Sequence, residues 1–576
     1  MENGASNVVG VVGLAMVSAA VAVLILFVRP TESGVSPTSA PPAPVSPPAT
    51  GPQGEMSSLI NSGSLPDLEH PAFNSYQQQV NKFYQQGGYA PAWLHDRRPS
   101  PQALAMIGEF KQAQLKGLTP DDYDASRWDA RLAKLGSASP PPSDSEQVHF
   151  DLALTICAMR FISDLHVGKV NPQHFKFGLE IGRKQYDLAD ILRTQVLDAP
   201  DVAAAIANVE PPYDGYRRAE ATLPEYLKLA AQGDVARIPA PPRSVHPGQR
   251  YAQIPQLAAR LRQLGDLAAS QDVSADSGIY SGPIVDAVKH FQDRHGLAAD
   301  GVLGAGTVSE LNKPLAYRLQ QLDLALERYR WIPRHFPEPP IVVNIPEFRL
   351  RTLRRQPAEF LSMNVVVGRA YRSQTPVFAD EMRYLIFRPY WNVPTAIQRN
   401  ELIPKIQRNP NYVATHQYQI VNGAGAVVTD GAVDGDVLRG LRSGAYTIRQ
   451  RPGPKNALGL VKFIFPNDYN VYLHSTPQPD LFSRARRDFS HGCIRVQNPA
   501  ALAAWVLRNK PDWNADRIRA TMNGDTDNIQ VNLDKPIPVL ILYSTAVVEP
   551  DNEVHFFDDI YGYDASLQKA LQAGTT

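Results

Sequence analysis

The sequence predicts an α+β protein of several domains, helical through its first half and mainly β in the half that carries its reactive residues. Three observations lead there. The chain has 576 residues, more than one hydrophobic core usually organises. Between about 55 and 250, apolar side chains recur at three- and four-residue spacing, the period of a helix face. From Ile341 onward they gather instead in short β-branched and aromatic runs bounded by Gly, Pro and Asn. Charge adds only an exclusion: 57 Lys and Arg balance 57 Asp and Glu, so no basic field points to nucleic acid and no acidic one to a polycation.

Val8 to Val28 carries no charge and is long enough to cross a bilayer as a helix. No Lys or Arg precedes it, unlike a cleaved signal peptide, so residues 1–29 are expected to be a retained single-pass anchor in the inner (cytoplasmic) membrane. Glu2 and Arg29 flank it against the usual charge bias. The body is nonetheless expected on the outer side, because long domains translocate largely regardless of flanking charge. Residues 30–54 are Pro, Ser, Ala and Thr with almost no large apolar side chain, an extended spacer.

The helical region, 55–250, shows its period best in Tyr76–Gln86, Pro101–Leu115 and Val148–Leu165, and it contains no catalytic pattern. Cys157 lies there, within LALTICAMRFISDL, as a small core hydrophobe. Residues 251–313 form a compact unit of three short helices with a tight turn at Asp300-Gly301 and Gly304. Its run AVKHFQDRHGLAADGVLGAGTVSELN resembles the type 1 peptidoglycan-binding domain, matching at Ala287, Phe291, Gln292, Gly301, Thr307 and Asn312 among others. The resemblance implies attachment to the bacterial cell wall; a bundle that binds nothing is the plainer alternative.

Residues 314–545 open with a helix over Leu315–Trp331 and continue as strands at Ile341–Ile345, Met363–Val367, Tyr384–Phe387, Val461–Phe465 and Val471–Leu473. Asn498-Pro499 is a helix start, Asn as N-cap and Pro in the first turn, for a helix over Ala500–Arg508. Between strands, about 397–450 is a polar, Gly-containing insertion, and 546–576 reads as a C-terminal tail.

The chemistry centres on SHGCIRV, Ser490 to Val496, which holds one of only two cysteines. A thiol attacks carbonyl carbon as thiolate, and an imidazole can take its proton. His474 and His491 are both candidates for that base. Gly492 frees the backbone to turn so that N–H groups can face one oxyanion. The same two histidines and Cys493 could instead ligate zinc, but a fourth ligand at suitable spacing is not evident.

His474, then Ser490-His491-Gly492-Cys493 and Arg495, with 19 positions from histidine to cysteine, resemble the signature of the YkuD-like L,D-transpeptidases. The similarity extends over about 340–510, through VVVGRAYRSQTPVF, RPYWNVP and RQRPGPKNALGLVKFIFPN. With the helical region and wall-binding unit upstream, the chain looks like the large YcbB-like members. The resemblance implies Cys493 as nucleophile, His474 as general base, and the Ser475 carbonyl orienting the imidazole. It implies an oxyanion hole from backbone N–H groups near Gly492 and Cys493, and a pocket shaped by Ser490 and His491. Tyr472 and Trp391 would line the substrate groove, Asn456 would be a further substrate contact, and Arg495 would either hold a stem-peptide carboxylate or brace the loop. The reaction implied is a two-step acyl transfer through a Cys thioester that joins two stem peptides 3-3, with no cofactor and no metal. Expected partners are peptidoglycan stem peptides, the inner membrane and other cell-wall synthesis enzymes, with the catalytic domain in the periplasm. The 397–450 insertion would be a capping subdomain over the site. The alternatives are a cysteine L,D-carboxypeptidase or peptidase that trims stems, and a wall-binding scaffold without catalysis.

Overall fold

The computed structural model describes residues 50–180, 186–273, 278–352, 360–370 and 373–573. The apolar run Val8–Val28 and all but the end of the 30–54 spacer lie outside the described residues. Among the described residues, no helix is long and apolar enough to cross a membrane.

The first region is built around the helix Asp144–Val167. Ser143 caps it reciprocally, accepting from the Glu146 N–H while the Glu146 carboxylate accepts from the Ser143 N–H. Its middle is apolar all round because helices surround it: Pro52–Ser62, Pro101–Lys111 and Val202–Val209 pack on it. Cys157 sits fully buried at its centre. Buried Asp151 on this helix is satisfied internally, accepting from the Tyr84 hydroxyl at 2.7 Å and the Trp93 N–H at 2.7 Å.

The wall-binding unit is the expected three helices, Ile254–Gln263, Pro283–Arg294 and Ala305–Leu311, around Leu257, Ile284, Val288, Phe291 and Leu311. Its signature residues hold the turn together. Gln292, buried, donates to Asp300 Oδ1 and Thr307 Oγ1, both at 3.1 Å, and accepts from the Gly301 N–H at 2.8 Å. Gly301 has φ +73°, and a Cβ there would stand 3.0 Å from Val285, so only glycine fits. These motif positions are accounted for by the fold of the unit itself.

The catalytic half is a mixed sheet of nine strands. In spatial order they are Asp488–Ser490, Ser362–Gly368, Ile494–Val496, Leu473–His474, Val461–Ile464, Phe378–Phe387, Ile529–Leu542, Ile341–Asn344 and Arg349–Thr352. Arg349–Thr352 also pairs with Ser362–Gly368, so eight of the strands close into a ring. Val365, Leu385, Phe463, Leu473, Ile494 and Val539 fill its core, fully buried. The helix over Pro499–Val506 begins where expected, Asn498 Oδ1 accepting from the Ala501 N–H at 3.1 Å.

Two segments depart from the sequence reading. The insertion is a folded subdomain that starts earlier than expected. Strand Trp391–Asn392 pairs with Tyr446–Gln450, which continues to Tyr418–Asn422 and Val427–Thr429. Helices including Ile403–Arg408 and Gly435–Ser443 cover that sheet around Ile406, Val413, Ile420, Leu441 and Ile448. Residues 546–573 are no tail. Ala546–Val548 and Val554–Phe556 form a hairpin packed with Tyr216, Leu223 and Tyr226 of the helix Asp214–Gln232. The hairpin also accepts from Arg294 of the three-helix unit at the Val554 carbonyl, 3.2 Å. The helix Tyr563–Gln572 then buries Leu567 in the catalytic core. Alternation of small and aromatic residues in so short a stretch did not signal two packing partners at once.

Candidate active site

His474 and the turn that carries Cys493 are brought to the same part of the sheet by strand pairing. Leu473–His474 runs parallel to Ile494–Val496, with Leu473 opposite Ile494 and His474 opposite Arg495, so the turn before Ile494 sets the cysteine beside the histidine. Nineteen residues of chain are thus closed by sheet pairing.

His474 is 5% exposed, and its Nδ1 donates to the Ser475 carbonyl at 2.5 Å, leaving the lone pair on Nε2. A carbonyl therefore stands where a carboxylate orients the imidazole of a Ser-His-Asp triad. Ser475 is fixed in turn by its own N–H to Val461 at 2.9 Å. Gly459, at φ +61°, lets the neighbouring loop come close: a Cβ there would stand 2.4 Å from Ser475 Oγ. Burial, then the Arg495 charge and more weakly Lys462, lower the pKa of His474 to about 3, against the pull of the Ser475 and Leu458 carbonyls. The resting imidazole is neutral.

Cys493 is partly exposed and directs its thiol to the Asn470 carbonyl at 3.7 Å. Burial of the sulfur by surrounding atoms raises its pKa, while hydrogen bonds from Tyr472 and the charges of Lys462 and Arg495 pull it down. Tyr472, expected in the groove, thus touches the sulfur itself, and it also bonds Trp391. Trp391 reaches it from the first strand of the cap sheet. Burial, with Cys493 next, raises the Tyr472 phenol well above its ordinary value, so it serves as a donor.

The other expected residues divide. Ser490 holds the loop together, donating to the Cys493 carbonyl at 2.6 Å and accepting from the Gly492 N–H at 3.1 Å. This corrects one expectation: the Gly492 N–H is already spent, so among the described residues the backbone donors of this turn left without a protein partner are those of His491 and Cys493. His491 turns away and meets Glu401 of the cap at 2.6 Å, each more than a third exposed. Asn456 is a second correction. It is fully buried, donates to Pro389, Gln450 and Arg451 carbonyls and accepts from the Leu458 N–H at 2.8 Å, so it braces the chain's return from the cap and cannot touch a substrate.

Arg495 donates to Gln478 at 2.7 Å while its Nε is buried without a partner. Two cations absent from the sequence reading stand with it. Arg369 is close enough to depress Arg495, after burial. Lys462, opposite His474 on the next strand, lies 4.1 Å over the Tyr472 ring, and burial lowers its pKa while the sulfur raises it. None of these three has an acidic partner among the described residues. The one available signal was the lysine in VKFIF, a charge inside a strand one position from buried Phe463.

Comparison with known proteins bears on the same residues. A family model described as an L,D-transpeptidase catalytic domain (YkuD) matches residues 339–527, which contain His474 and Cys493. A scaffold-domain model matches residues 78–223, and one described as "Putative peptidoglycan binding domain" matches 250–311. A Haemophilus influenzae protein named "Putative L,D-transpeptidase" is 33% identical over 252 residues, 44% of this chain. Those residues are 49% of that protein, so the chain spans about half the length of the curated relative it matches. The chain thus carries a region that matches the YkuD-type L,D-transpeptidase catalytic domain, together with regions that match a scaffold domain and a peptidoglycan-binding domain.

Proposed function

We propose that the protein forms 3-3 cross-links in peptidoglycan through a Cys493 thioester. The observation that carries this is a thiol in the turn that enters one strand and a neutral, carbonyl-oriented imidazole on the neighbouring strand, with an open backbone donor at the thiol. The sulfur attacks the amide carbon between the third residue and D-Ala of a tetrapeptide stem as its proton passes to His474 Nε2. The Cys493 N–H receives the developing oxyanion. The C–N bond breaks, His474 returns the proton to the departing amine, and D-Ala leaves. The side-chain amine of a second stem's third residue then attacks the thioester, giving up its proton to His474, and the thiol is restored.

Three cations without acidic partners suit a donor that carries carboxylates. A carboxylate beside Arg495 or Lys462 would also offset the charges that depress His474, making the imidazole a better base once substrate is bound. The cap, contributing Trp391 and Glu401 at the mouth, would exclude water and favour the amine over hydrolysis. The long uncharged run at Val8–Val28 and the Pro-rich spacer support an inner-membrane tether with the catalytic domain in the periplasm, where the stems lie.

The test is incubation of purified disaccharide-tetrapeptide muropeptides with the protein and with Cys493→Ala. Mass spectrometry should find 3-3 dimers and free D-Ala with the former and neither with the latter. Tripeptide monomers without dimers would make the protein a trimming peptidase, and equal cross-linking by Cys493→Ala would remove the thioester.

A further inference from the structure

Within the nucleophile turn, the carbonyl of Gly492 and the N–H of Cys493 belong to one peptide plane and point in opposite directions. Whatever holds the carbonyl therefore aims the N–H. The carbonyl is held by Thr375, whose Oγ1 donates to it at 2.8 Å. That hydroxyl has a single proton, and its acceptor side is filled by the Gly368 N–H at 2.9 Å, so its direction is fixed. Thr375 is fully buried.

Thr375 is itself placed from the C-terminal segment. Its N–H donates to the Tyr561 hydroxyl at 3.1 Å, and that hydroxyl donates to the Gly368 carbonyl at 2.6 Å. The Tyr561 N–H donates to the Tyr543 hydroxyl at 2.9 Å, whose proton goes to Asp559 at 2.5 Å. Asp559 also accepts from the N–H groups of Tyr563 and Asp564, at 2.8 and 3.0 Å. Each donor in this series is used once, so it has one direction, ending at the peptide beside the nucleophile. At Gly368 a Cβ would stand 1.9 Å from the Ser373 carbonyl, so only glycine admits this close approach. Gly492 adopts φ +116°, a conformation open to glycine and rarely to any other residue, so the turn can present its carbonyl to Thr375.

We propose that Thr375 and Tyr561 are positioning residues that aim the Cys493 N–H at the developing oxyanion. The proposal rests on the acyl-transfer reading above, and its test separates the two. In the full chain, acylation of Cys493 by p-nitrophenyl acetate builds an oxyanion; alkylation of the same thiol by iodoacetamide does not. Thr375→Val should slow acylation about 10- to 100-fold while alkylation stays within about threefold. Thr375→Ser should bring acylation back to within about threefold, and Tyr561→Phe should slow acylation alone by about three- to tenfold. With muropeptides, Thr375→Val should lower kcat at nearly constant KM. Equal slowing of acylation and alkylation, or of neither, overturns the proposal. If Thr375→Val does not fold, the same comparison in Tyr561→Phe decides it. Failure of the parent protein to cross-link muropeptides would sink the functional reading and leave the ester comparison standing.

Discussion

The protein holds its two free cysteines in two environments, one in the helical body and one at the sheet, and burial raises the pKa of both. Around Cys157, at the middle of the helix Asp144–Val167, burial pushes the thiol to about 12, and the charges of Asp124, Arg160 and Arg131 act on it only secondarily. Cys493 meets the same penalty, but Tyr472 donates to it, Lys462 and Arg495 face it, and an imidazole stands on the next strand. Desolvation is therefore shared by the core thiol and the proposed nucleophile. What separates them is the set of groups that appear when the thiolate forms and the base that can form it.

The comparison breaks most sharply at the base. His474→Ala should lower Cys493 acylation about 10²- to 10⁴-fold and leave Cys157 as unreactive as before, measured by labelling each thiol in the folded chain. Because the His474 pKa is depressed from 6.5 to about 3, acylation should run without an inflection at 6.5 and fail only as pH drops toward 3. A step in kcat/KM near 6.5 would mean the ring is more solvated than its burial indicates. The sign for stability follows. The unfolded ring takes a proton first, so the stabilisation from this group is present above 6.5 and lost as pH falls from 6.5 toward 3, which urea midpoints across that range would show.

Removing one charge gives a smaller effect. Lys462→Met should raise the Cys493 thiol pKa further and slow acylation several-fold below that pKa. Iodoacetamide rates against pH measure both, and unchanged rates would assign Lys462 to substrate alone. On the other side, Cys157→Ser puts a hydroxyl into an apolar core and should cost about 1–3 kcal/mol of stability with acylation per folded molecule unchanged. The smallest change should come at the rim. The His491–Glu401 contact is half-exposed, a class of interaction worth about 0.2–1 kcal/mol, so Glu401→Gln should shift the ratio of hydrolysis to cross-linking less than about fivefold.

How much of this was legible in the sequence depended on how local the cause was. Strands at 341–344, 362–368 and 461–464 and the helices from Pro101 and Pro499 follow from alternation, period and caps within a few residues. Cys493, His474 and the orienting Ser475 carbonyl came from a spacing that resemblance could interpret. As residue types the two histidines were equivalent; the resemblance favoured His474, and the sheet register, which puts His474 opposite Arg495, agrees with it. Asn456 was misread for the same reason: an amide near a site looks like a contact until its four partners are seen to be backbone. The Gly492 N–H, Lys462 and Thr375 were out of reach because their roles depend on who occupies the other end of a hydrogen bond or a strand pair.

The hairpin and helix of 546–573 have a consequence in time. They follow Cys493 in the chain, so they are synthesised after it, and until they arrive Thr375 lacks Tyr561 and the turn at Gly492 lacks its last support. A nascent chain would thus carry the thiol before it carries the means to aim it, and the reactive centre would mature only once the scaffold, the wall-binding unit and the sheet are already clasped by the same segment.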